Sequence, residues 1–184
     1  MLRVPRPKTT YLLAMLALLL ASATASAQAP PAPEWKLFQE FSFLGGSWSG
    51  PAESGGRIGG RVVTLAAEVD GAMLRYRATT YFPAKDTLPE LRTEEIGHIV
   101  YDSAKGKYVA LVVFSTKAWG IYDAEVRPDG SIIFVSREMA NLEAGTRSRW
   151  SLLRKADGSI AESLEVAPPS RDFVPFLTAT LAKK

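Results

Sequence analysis

From residue 44 onward the chain alternates apolar and polar positions in short runs, and each run ends at a turn signal. The runs are rich in Val, Ile, Thr, Tyr and Phe. Alternation with period two is the mark of a strand with one buried face. The breaks are Asp70-Gly71, Ala104-Lys105-Gly106, Asp129-Gly130 and Asp157-Gly158. Asp-Gly supplies the positive-φ residues that a tight hairpin turn needs. The pattern predicts strands at about 46–54, 57–69, 72–82, 90–102, 107–116, 119–127, 131–138, 147–155, 159–166 and 174–182. Before them, Trp35, Phe38 and Phe41 recur at near-helical spacing and predict one short amphipathic helix near 34–42.

Short turns between consecutive strands make an up-and-down antiparallel sheet. No connecting segment is long enough for a parallel crossover. A meander this long leaves exposed edges unless it closes on itself, so the expected fold is all-β: an antiparallel up-and-down β-barrel of about nine or ten strands with a short N-terminal capping helix.

The first residues read differently. Arg3, Arg6 and Lys8 precede an apolar run, Tyr11 to Leu20 with the alanines after it, and Ala25-Ser26-Ala27 follows. That order is a secretory signal peptide with cleavage after Ala27. The run falls short of the roughly 20 apolar residues of a spanning helix, so no stable membrane insertion is expected once it is removed. No arginine pair marks a twin-arginine signal, and without a cysteine no acyl anchor can form. Residues 28–33 form a proline-rich linker, and 34–184 the barrel domain. The expected location is the periplasm or the medium.

Charge then changes the picture. The chain carries a formal +3, but the signal holds three basic residues and no acid. Removing them leaves 19 Lys+Arg against 19 Asp+Glu. A neutral domain has no electrostatic pull on phosphate backbones, so no nucleic-acid partner is expected. The absence of cysteine excludes disulfides, thiolate nucleophiles and Cys-ligated metals.

Phe43-Leu44-Gly45-Gly46-Ser47-Trp48-Ser49-Gly50 resembles the leucine, glycine, x, tryptophan, x, glycine opening of lipocalin-like and nitrobindin-like barrels. Asp70-Gly71, Tyr101-Asp102 and Gly106-Lys107-Tyr108 resemble an uncharacterised bacterial family of the same calycin-type group. The resemblance implies a short helix leading into the first strand and a tryptophan packed across the barrel bottom. Nitrobindins hold haem through a histidine in a segment similar to Pro175-Phe176-Leu177-Thr178-Ala179-Thr180-Leu181. Here Phe176 occupies the ligand position, and a phenyl ring has no lone pair for iron, so no cofactor is expected by that route.

Candidate chemistry is sparse. His98 is the only histidine, on a strand face with Glu94, Ile96, Val100 and Asp102. It reads as a half-buried strand residue, with a general base oriented by Glu94 or Asp102 as the sharper alternative. Alone it cannot build a multi-histidine metal site. Arg75-Tyr76-Arg77 and Arg147-Ser148-Arg149 each place two arginines on one strand face, opposite the aromatic residues Tyr76 and Trp150. Pointing inward, the arginines suit a carboxylate; pointing outward, they are a solvated face, and the aromatic neighbours favour the outward reading. Trp48, Trp119 and Trp150 read first as packing residues. The residues offered as ligand contacts are therefore His98, Arg75, Arg77, Tyr76 and Trp119. No Gly-x-Ser-x-Gly elbow occurs, and Gly55-Gly56-Arg57-Ile58-Gly59-Gly60 precedes no helix, so it reads as a loop or bulge rather than a phosphate cradle. The functional expectation is a non-catalytic barrel holding a small, mostly apolar ligand. Its alternatives are an enzyme using His98 and a filled barrel acting as an interaction or envelope module.

Overall fold

The computed structural model describes residues 35–184; the expected signal peptide and linker lie outside them. Ten strands follow a 3₁₀ helix, Lys36–Leu44: β1 (Gly46–Ser54), β2 (Arg57–Glu68), β3 (Met73–Phe82), β4 (Leu91–Asp102), β5 (Lys107–Phe114), β6 (Trp119–Val126), β7 (Ile132–Ala140), β8 (Arg147–Arg154), β9 (Ile160–Ala167) and β10 (Val174–Lys183). Each pairs antiparallel with its chain neighbours, and β1 pairs with β10 to close the barrel. Closure leaves no free edge.

Successive connections fall at alternate ends, as up-and-down topology requires. The tight turns at Gly71, Gly106, Gly130 and Gly158, all with positive φ, share the end that the helix covers. Asp129 and Asp157 accept from the backbone N–H and the hydroxyl of Ser131 and Ser159, which preorganises two of these turns. Longer loops, 83–90, 141–146 and 168–173, lie at the other end. There Gly55 and Gly56 make the β1–β2 turn, and Arg57 donates to the carbonyls of Phe82, Pro83 and Pro89, tying the longest loop to β2.

The helix is 3₁₀ rather than α for a reason its sequence carries. Trp35, Phe38, Phe41 and Leu44 recur every third residue; the segment kinks at Phe38 (φ −134°, ψ 38°), and in the 3₁₀ turn after it three residues per turn set Phe41 and Leu44 on one face. Phe38, Phe41 and Leu44 are buried against the barrel. Phe41 meets Tyr108 edge-on at 4.8 Å and Phe134 at 6.1 Å. Trp48 Nε1 donates to the Leu44 carbonyl at 2.8 Å, so the tryptophan of the opening motif locks helix to first strand.

Two strands carry bulges, in β7 at Arg137 and in β10 at Phe176. Phe176 is 54% exposed, so the position that the resemblance assigns to an iron ligand faces away from the lumen.

Candidate functional site: a charged hub inside the barrel

Inward positions of β2 are Arg61, Val63 and Leu65; of β4, Glu95, Gly97 and Ile99; of β9, Ile160 and Glu162. Three charged side chains thus point into the lumen among apolar neighbours. Arg61 is 2% exposed, Glu95 7% and Glu162 2%. Charges are buried at this depth only when paired.

Arg61 is the hub. Its Nε donates to Glu162 Oε2 at 2.6 Å and its Nη2 to Glu162 Oε1 at 2.9 Å. Nη1 donates to Glu95 Oε1 at 2.7 Å and to Thr80 Oγ1 at 2.6 Å. Nη2 also reaches Glu95 Oε2 at 3.0 Å and Tyr76 Oη at 2.7 Å. Tyr76 Oη in turn donates to Glu95 Oε2, and Trp150 Nε1 to Glu162 Oε1 at 2.9 Å. The network crosses the lumen and ties β2, β3, β4, β8 and β9 together.

Burial opposes the Arg61 charge, but Glu162, Tyr76 and Glu95 outweigh it and hold its pKa well above the ordinary value. For Glu95, burial pushes the carboxyl up, and the charge and hydrogen bonds of Arg61 with the Tyr76 hydroxyl bring it below its usual range. Burial drives the Tyr76 hydroxyl well up; Arg61 draws it back, and the two carboxylates add to the rise.

Tyr76 and Trp150 lie tilted together, ring centroids 4.7 Å apart, and Phe134 stacks on Trp150 at 4.4 Å. These rings divide what space the lumen retains. One cavity of about 10 Å³ lies on the helix side, against Leu44, Trp48 and Leu152. Another of about 10 Å³ lies beyond the rings, lined by Arg61, Tyr76, Glu95, Tyr122 and Trp150, with half-buried Phe114 and Leu164 among its walls. Each is of the size that holds one water. The Tyr122 side chain is 2% exposed, and its hydroxyl makes no well-formed hydrogen bond, although the Ser148 hydroxyl lies close enough to act on it. Burial pushes that hydroxyl's pKa up, the Ser148 hydroxyl draws it down, and the Glu95 charge raises it further.

Of the five residues offered by the sequence as ligand contacts, Tyr76 alone stands in this hub. Arg75 and Arg77 point outward on β3, where Arg75 pairs with Glu68 at 2.9 Å. His98 and Trp119 are half-buried on the outer faces of β4 and β6. His98 sits opposite Arg75 and Leu111. Glu94 and Asp102 each lie four residues from it, about 13 Å along the strand, and bond Arg92 and Lys105 instead. Arg61, Glu95 and Glu162 escaped the sequence reading. The signal that could have found them is a charge flanked at i±2 by apolar residues, as in Arg61-x-Val63-x-Leu65 and Ile160-x-Glu162-x-Leu164. On such a face the charge is the exception and needs a partner.

Fold and interior together define a closed ten-strand antiparallel barrel with a charged network buried in its lumen. The crystal structure of Rv2717c from M. tuberculosis is similar to it, with a TM-score of 0.54 at 18% identity, covering 79% of this chain and 96% of that chain. That likeness is one of fold. No protein-family model and no curated protein matches the sequence.

Proposed function

We propose that this chain is an exported, non-catalytic barrel that binds one small, mostly apolar ligand at the end of the lumen away from the helix. The observation that carries the reading is the Tyr122 hydroxyl, buried with no well-formed hydrogen bond and only the Ser148 hydroxyl acting on it, at a cavity whose walls combine Val112, Phe114 and Leu164 with the charged hub. A buried hydroxyl left unsatisfied costs about 1–3 kcal/mol, which a ligand atom would relieve. Binding sites of this type set a few polar groups in an apolar wall. Any ligand larger than a water must displace Phe114 and Leu164, which line the cavity and are half-buried.

Export rests on the sequence of residues 1–27. Among the described residues, no helix is long and apolar enough to cross a membrane. Native mass spectrometry of the protein purified from the periplasm of its own host tests both halves of the proposal. The expected species begins at Gln28 and carries a ligand mass that is lost on denaturation. An apo mass only, with no thermal shift across a lipid and metabolite panel, would overturn the binding reading.

One observation favours a second reading, the filled barrel acting as an interaction or envelope module. Tyr76, Trp150 and Phe134 occupy the lumen centre, and the space beside them is water-sized. The same measurement separates the two. The acid–base reading of His98 has no observation behind it: among the described residues no carboxylate bonds its ring, and Glu94 and Asp102 bond Arg92 and Lys105.

A further inference from the structure

The chemistry of the lumen restricts the head group that the proposed ligand can carry; this inference rests on the binding reading. An arginine inside a barrel is ordinarily a carboxylate receptor, since its planar fork matches two oxygens. Here the fork is occupied. Glu162 takes Nε and Nη2, Glu95 takes Nη1 and Nη2, and Thr80 and Tyr76 accept the rest. No N–H of Arg61 remains for a ligand. A ligand carboxylate would also enter beside two carboxylates that share one guanidinium, adding a like charge where little water screens it.

The unused groups have the opposite preference. Glu95 Oε1 accepts only from Arg61, so it keeps acceptor capacity on the side of the cavity that it lines. The Tyr122 oxygen, buried without a well-formed hydrogen bond, is a second acceptor on a residue that lines the same cavity. Counting formal charges, one guanidinium against two carboxylates leaves the hub at minus one.

We propose that the cavity at Tyr122 and Glu95 is a head-group site for a primary ammonium, with the ligand's apolar tail leaving between Phe114 and Leu164. An ammonium has three donors and no acceptor, and is close to a water in size. It can donate to the Glu95 and Tyr122 oxygens, and it neutralises the residual charge. A carboxylate could accept from the Tyr122 hydroxyl but adds a like charge beside Glu95 and Glu162.

Three probes with one tail decide it: n-butylammonium, 1-butanol and butyrate, titrated calorimetrically and by thermal shift at pH 7 and physiological salt. Butylammonium is expected to bind at least about tenfold more tightly than butyrate, with butanol between. Tyr122→Phe removes a hydroxyl that makes no well-formed hydrogen bond, so it should fold as the native chain does and lose about tenfold in butylammonium affinity. Butyrate or butanol binding as tightly as butylammonium would overturn the head-group assignment while leaving the barrel a binding protein. Undiminished butylammonium binding in Tyr122→Phe would overturn it too. Silence from all three probes, with no thermal shift, would overturn the binding reading along with it. The comparison on the unsubstituted protein stands whether or not the variant folds.

Discussion

Replacing Arg61 with methionine keeps the length and apolar body of the side chain and removes the charge on which the hub depends. The variant loses every Arg61 hydrogen bond and leaves Glu95 and Glu162 buried. Each keeps one donor, Tyr76 at 2.7 Å and Trp150 at 2.9 Å. Breaking a buried ion pair from one side costs about 3–5 kcal/mol. Two stranded carboxylates push toward the upper end and the two remaining donors pull back, giving about 4 kcal/mol. Domains of this kind have roughly 5–15 kcal/mol in all, and each kcal/mol is worth about 2–4 °C, so the melting temperature should fall by about 8–16 °C.

The pH dependence separates charge from packing. In the native chain, Glu95 has a folded pKa below its ordinary 4.5. It therefore stabilises the fold above that pH, and the contribution is lost as pH falls through the folded value. Without Arg61, burial of Glu95 is opposed only by the Tyr76 hydrogen bond and raises its carboxyl, so the variant gains relative stability as acid protonates it. The cost of Arg61→Met should be largest near pH 7 and shrink toward pH 4. Urea unfolding followed by tryptophan fluorescence reads it directly, with Trp150 stacked in the hub as reporter. The triple variant Arg61→Met/Glu95→Met/Glu162→Met should recover most of the loss, since an apolar replacement of a buried ionic group is often neutral. A cost below about 1 kcal/mol, or one that stays flat between pH 7 and pH 4, would refute the account of the hub.

Further outcomes follow from other parts of the barrel. A Cβ at Gly50 would overlap the Thr180 carbonyl oxygen on β10, so Gly50→Ala should disrupt barrel closure and cost about 3 kcal/mol or more in chemical denaturation, against little for Gly60→Ala, whose surroundings are open. Val69 holds φ 52° at 71% exposure, a backbone region that penalises a β-branched residue, so Val69→Asn should raise stability by about 1 kcal/mol in the same assay. Phe41 is fully buried between helix and barrel, so Phe41→Ala should cost about 3–5 kcal/mol and loosen the helix, visible as faster hydrogen exchange over residues 36–44.

Several features were legible in sequence because they are local. The period-two runs and Asp-Gly turns located ten strands to within a few residues, since a turn needing positive φ and a strand needing one apolar face are settled by immediate neighbours. The meander's need to close implied the barrel. The three-residue spacing of Trp35, Phe38, Phe41 and Leu44 holds the 3₁₀ geometry, although it reads as a generic helix until the face it covers is known. The opening motif is structural: Trp48 bonds to Leu44, and Gly50 lets β10 approach.

The interior chemistry was decided only by tertiary structure. On β2 both faces, Arg61-Val63-Leu65 and Val62-Thr64-Ala66, are mostly apolar, and a charge by itself argues for solvent. What turns Arg61 inward is Glu95 and Glu162, which stand 34 and 101 residues away in sequence and face it only once ten strands have closed. A buried charge is affordable only beside its partner, and partners this distant become neighbours through topology, which no local pattern of residues encodes.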